Sequence, residues 1–142
     1  MNKPKVTIKD ISEAPNLQEL KEHFVVDENY LIVAYGDAIY TPKGQALSKD
    51  LIIHELVHCM RQGYSVDSAK LWWEKYMRDK QFRIDEEALA YNKQYAYCCV
   101  VYKDREVRSK ILLAMANQLA SEQYGKVITS SEAANLIKQN VN

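Results

Sequence analysis

Two histidines and a glutamate stand together at His54-Glu55-Leu56-Val57-His58, an H-E-x-x-H sequence. The surrounding stretch predicts a helix. On a helix, side chains four residues apart leave the same face about one turn from each other. Two imidazoles at that spacing suit one tetrahedral Zn²⁺. Glu55 points beside such an ion rather than at it, where its carboxylate can take a proton from a water on the metal. Leu51, Ile52, Leu56 and Val57 predict that this helix is buried. Burying two histidines and a glutamate there is costly without partners, and a metal is such a partner. H-E-x-x-H also arises by chance, with histidines that only hydrogen-bond. Against chance, the chain has three histidines and two of them fall here.

A third ligand must come from another element. The next long helical stretch but one, about Phe82 to Lys103, opens with three acids, Asp85, Glu86 and Glu87. Helical geometry ranks them. Ile84, Ala88, Tyr91, Tyr95 and Cys98 define its apolar stripe. At about 100° per residue, Glu87 lies about 60° from Ile84, on the flank of that stripe. Asp85 lies about 100° away, and Glu86 about 160° away on the solvent side. Glu87 is the expected ligand, Asp85 a poor second and Glu86 a surface charge. An acidic cluster can also do no more than satisfy a helix N-terminus.

The elements that must position these residues are legible in outline. Val6-Thr7-Ile8 predicts a short strand. Asn16 with Glu19 makes a capping pattern for a helix over Leu17 to His23. Phe24-Val25-Val26, Tyr30 to Tyr35 and Ala38 to Thr41 predict further strands, separated by polar or glycine turns. The last strand is expected at the edge of an active-site cleft, where an extended peptide can add to it. Ser48 caps the H-E-x-x-H helix, which runs to about Gln62 with Gly63 after it. Ser65 begins the next helix, whose Leu71, Trp72, Trp73, Tyr76 and Met77 read as core. Asp104 caps a helix from Arg105 to Tyr124, and Thr129 or Ser130 caps a short final one. The fold class is therefore α+β, a small antiparallel sheet followed by a helical bundle in one domain, 1–142.

Composition excludes several functions. Formal charge is zero and no basic stripe occurs, which argues against nucleic acid as a partner. No apolar run approaches the roughly 20 residues of a membrane span. Met1 to Lys5 carries no signal-peptide core, so a cytoplasmic protein is expected unless lysis or a virion releases it. Cys59, Cys98 and Cys99 are odd in number, and two are adjacent, which argues for buried free thiols rather than disulfides. His23 stands alone and reads as a surface or capping residue.

His54 to His58, followed by Glu87-Ala88-Leu89-Ala90, resembles the gluzincin-type zinc metallopeptidases among the H-E-x-x-H zincins. More narrowly, the chain from about residue 38 to 138 resembles small metallopeptidases encoded by tailed bacteriophages. The similar segments include Leu71 to Tyr76, Phe82-Arg83, Ala90-Tyr91, Gln94, and Leu119 through Gly125 to Ala133-Ala134. The resemblance implies a minimal zincin fold and peptide hydrolysis with Zn²⁺ on His54, His58 and Glu87. Glu55 would be the base, and a tyrosine hydroxyl would stabilise the oxyanion. Tyr91 is placed in the candidate site for that role, with Tyr95, Tyr64 and Tyr124 as alternatives. Tyr91 also departs from the group, in which Asp or Asn often stands at this position and orients a ligand histidine. The implied partner is a peptide or protein substrate of host or phage. The competing reading is a phage structural or interaction protein on the same fold, whose zinc is closed by a fourth protein ligand and catalyses nothing.

Overall fold

The computed structural model describes residues 4–141. Three short strands, β1 (Thr7–Asp10), β2 (Val33–Tyr35) and β3 (Ala38–Thr41), form one sheet in the order β1-β3-β2. β2 and β3 make an antiparallel hairpin with Ala34 opposite Ile39. Gly36 turns it at φ +65°, and a Cβ there would stand 3.0 Å from the carbonyl carbon of Ser65. Only glycine meets both demands.

The sheet corrects two expectations. It is mixed rather than antiparallel, because β1 pairs with β3 in parallel. β3 is also the central strand, so it offers no free edge to a peptide. β2 is the edge near the H-E-x-x-H helix, and its Ala34 carbonyl already accepts from Gln62 Nε2 and Trp73 Nε1, each at 3.0 Å. Phe24-Val25-Val26 forms no strand. Its alternation is real, with Val25 exposed and its two neighbours half-buried, but no strand lies beside it to pair with.

Among the described residues six α-helices follow the chain: α1 (Leu17–His23), α2 (Lys49–Arg61), α3 (Val66–Arg78), α4 (Lys80–Val101), α5 (Arg105–Leu119) and α6 (Ser130–Ile137). Their starts follow the capping residues. Ser65 accepts from Ser68 N–H, Asp79 from Phe82 N–H, and Thr129 exchanges bonds with Glu132 in a capping box. Ser48 holds the cap position of α2, but its hydroxyl donates to Asp50 Oδ1 at 2.7 Å instead. Asn16 does not cap α1 with its side chain; its buried amide finds no partner among the described residues. His23 is exposed, its ring 3.0 Å from the Glu19 carbonyl. α5 stops at Leu119, five residues short of Tyr124, and a 3₁₀ turn at Glu122–Tyr124 swings the chain back toward α4.

α4 is the axis. At about 1.5 Å per residue its 22 residues span about 33 Å. α2, α3, α5 and α6 all pack on it. The fully buried alanines Ala90, Ala116 and Ala133 let these helices approach closely. The sheet lies on α2 through β2. All three cysteines are buried and unbridged. No helix among the described residues is long and apolar enough to cross a membrane.

Candidate metal centre

α2 and α4 bring His54, His58 and Glu87 together, each buried, with one donor atom apiece within 4.8 Å of the others. This group could hold a metal ion. Glu87 Oε1 lies 3.1 Å from His54 Nε2 and 3.1 Å from His58 Nε2. Ligand atoms about 2.1 Å from one tetrahedral ion stand about 3.4 Å apart, so the spacing is close to that of a ligated ion.

The protonation of His54 strengthens the fit. Asp50 Oδ2 accepts from Gln94 Nε2 at 2.9 Å, which turns the other amide atom, Gln94 Oε1, toward His54 Nδ1 at 3.0 Å. An amide oxygen only accepts, so His54 carries its hydrogen on Nδ1. A neutral His54 then presents an Nε2 lone pair to a carboxylate oxygen. Two acceptors face each other at 3.1 Å, and a cation between them resolves the conflict. His58 leaves its Nδ1 buried without a partner among the described residues, and its ring lies against Trp72 with centroids 5.4 Å apart.

Glu87 is fixed from its other side as well. Tyr76 donates its hydroxyl to Glu87 Oε2 at 2.7 Å. Burial raises the Glu87 carboxyl's pKa, but positive charge at His58 outweighs it. The group is held well below the usual carboxylate range. Glu55 lies beside the cluster, its Oε2 3.8 Å from His54 Nε2, and accepts no hydrogen bond among the described residues. Burial pushes its carboxyl up to about 8; His54 pulls it down and Glu87 pushes it further up. A cation beside it would favour the ionised form.

The other two acids diverge. Asp85 is exposed and accepts from Gln81 at 2.8 Å. Glu86 corrects the expectation of a surface charge: it is 4 % exposed. Arg61 donates to it through Nε and Nη2, and Trp72 Nε1 donates at 2.7 Å. The physical reason is that α3 covers the face of α4 that a single apolar stripe assigns to solvent.

The tyrosines also sort differently from expectation. Tyr91 packs edge-on to the His54 ring with centroids 4.4 Å apart, but its hydroxyl is bonded to the Tyr124 hydroxyl at 3.0 Å. Tyr95 lies further along α4 with its hydroxyl raised by burial and by Cys99. Tyr64 lines a groove on the other side of α2. Tyr76 and Tyr124 are the two tyrosines that line the metal cavity. Burial, and then the charge of Glu87, raises both hydroxyls well above their usual range, so both remain protonated donors.

Gln94, Asp50 and Tyr76 were not assigned roles from sequence. Signals for two of them exist. Gln94 is seven residues after Glu87, and Asp50 four before His54, so each shares a helix face with a ligand. Gln94 supplies the contact that orients the His54 ring.

The cavity at the cluster is about 40 Å³. Phe24, Val26 and Leu31, from the segment between α1 and β2, help to enclose it. Arg83 ties the enclosure together: it donates to the carbonyls of Tyr76, Met77 and Tyr124 and lies over the Phe24 ring at 4.6 Å. No known family, curated protein or solved structure matches the chain.

Proposed function

We propose that the chain is a zinc-dependent metallopeptidase that hydrolyses a peptide or protein substrate. The observation that carries this reading is Glu55. It is a buried carboxylate on the cavity, next to the ligand cluster yet outside it, 3.8 Å from His54 and hydrogen-bonded to no side chain among the described residues. A structural role for it would call for a partner.

Two imidazoles and one carboxylate suit zinc among the common divalent ions. Bound there, zinc would polarise a carbonyl and make a water acidic. His54, His58 and Glu87 would hold the ion. Gln94 keeps the His54 ring in the tautomer that ligation needs, and Tyr76 holds the second oxygen of Glu87. Glu55 takes a proton from the attacking water as its oxygen adds to the scissile carbonyl. It then returns that proton to the amine nitrogen as the C–N bond breaks. Tyr124 supports the reading as a second protonated donor at the cavity wall.

The small cavity favours one alternative, a zinc that stabilises the fold without catalysis. About 40 Å³ admits an ion and a water but no peptide, so a substrate requires part of the cavity wall to move aside. Glu55→Gln separates the two readings. It keeps length and a polar head but cannot act as a base. Wild-type protein should cleave members of a broad peptide library, and Glu55→Gln should bind zinc equally and lose at least about 10²-fold in rate. Equal cleavage by both would refute the assignment. No cleavage by either would leave the structural zinc.

A further inference from the structure

The face of α2 turned away from the metal is apolar and only partly covered. Ile52, Leu56 and Met60 repeat there at four-residue spacing, opposite His54 and His58. Of the residues from which a buried helix is expected, Val57 is buried while Leu51, Ile52 and Leu56 are half-buried. With Val6 and Ile8 they line a groove of about 620 Å³. Met60 is 52 % exposed and Ile8 38 %. Lys93 is the one charged side chain among the described residues lining it.

β1 forms one wall of this groove and is an edge strand. Thr7 turns its N–H into the sheet, where it donates to the Asp37 carbonyl at 3.0 Å. By the alternation of a strand, Ile8 turns its N–H and C=O to the open edge. The side chains alternate too. Val6 and Ile8 face the groove, and Lys5 and Lys9, both exposed, lie on the opposite face.

We propose that this edge and groove bind an extended segment of a partner protein in which apolar and acidic residues alternate. Such a segment pairs its backbone with Ile8 and drops every second side chain against Ile52, Leu56 and Met60. The intervening acids fall beside Lys5 and Lys9, on the face where cross-strand pairs meet. A second copy of this chain fits less well, because it would lay its own Lys5 and Lys9 along the same lysines. The groove lies across α2 from the metal, so this binding is independent of the peptidase reading and its failure would leave that reading intact.

The test uses full-length zinc-loaded protein and two labelled, end-blocked hexapeptides, one alternating valine with glutamate and one alternating valine with lysine. Fluorescence anisotropy should show saturable binding of the acidic peptide, about tenfold or more tighter than the basic one. Lys9→Glu should weaken acidic-peptide binding about tenfold. Met60→Lys, at an exposed position, should weaken both peptides while circular dichroism and zinc content stay unchanged. Equal binding of the two peptides, or indifference to both substitutions, overturns the proposal. So does sedimentation showing a dimer that the acidic peptide does not dissociate, which would make a second copy the occupant.

Discussion

Tyr76→Phe isolates one bond at the metal centre. Tyr76 donates at 2.7 Å to the oxygen of Glu87 that faces away from the histidines. Phenylalanine removes that donor and keeps the ring, which stacks on Trp72 with centroids 5.1 Å apart and an interplanar angle of 26°. The packing of α3 is thus preserved while Glu87 loses an anchor and keeps a buried, desolvated oxygen. A hydrogen bond to a charged group contributes about 1.5–3 kcal/mol. At 1.4 kcal/mol per tenfold, zinc affinity should fall by about 10- to 100-fold, the range seen when a ligand's supporting bond is removed. Competition against a chromophoric chelator at fixed pH measures this directly. Thermal melting of the metal-free protein checks the fold. Affinity within twofold of wild type, with the fold intact, would refute the reasoning that Tyr76 positions Glu87.

The acids of α4 should separate by position. Glu86→Gln should lower stability by about 1–2 kcal/mol, because Arg61 loses its charged partner at a half-exposed site, yet leave zinc stoichiometry unchanged. Asp85→Asn, at an exposed site, should shift stability by no more than about 0.5 kcal/mol, and melting curves with metal analysis distinguish the two outcomes. Cys59 is fully buried, and burial pushes its thiol up to about 12. Iodoacetamide at pH 8 should therefore leave it unlabelled in folded protein and label it after denaturation; peptide mapping that finds it labelled under native conditions would show that this part of α2 opens.

The parts legible in the sequence were those that depend on local register. The spacing of His54 and His58 put both on one face, and the angle between Glu87 and Ile84 singled out Glu87 from three adjacent acids. The same reasoning failed for Glu86 because it assumed one buried stripe, whereas α3 packs on α4 as well as α2. Sheet order was beyond reach for a different reason. β1 joins β3 in parallel across some thirty residues, and nothing in a four-residue strand specifies so distant a partner. Tyr76 was visible only as part of an aromatic run. Trp73 and Tyr76 are core and also wall the cavity at the cluster, and composition does not separate the two roles.

Arg83 has a consequence for the order in which the protein is made. The three candidate ligands lie between His54 and Glu87, so they are synthesised before Tyr124, whose carbonyl Arg83 holds. Phe24, already made, can settle over the guanidinium only when Arg83 is itself fixed. A growing chain thus displays its donors while the enclosure is incomplete and completes it last. An ion held at this cluster would load in that interval, and stalled chains of increasing length would date it. With Tyr124 docked, its departure would be limited by how often this closure reopens as well as by the strength of the ligand bonds.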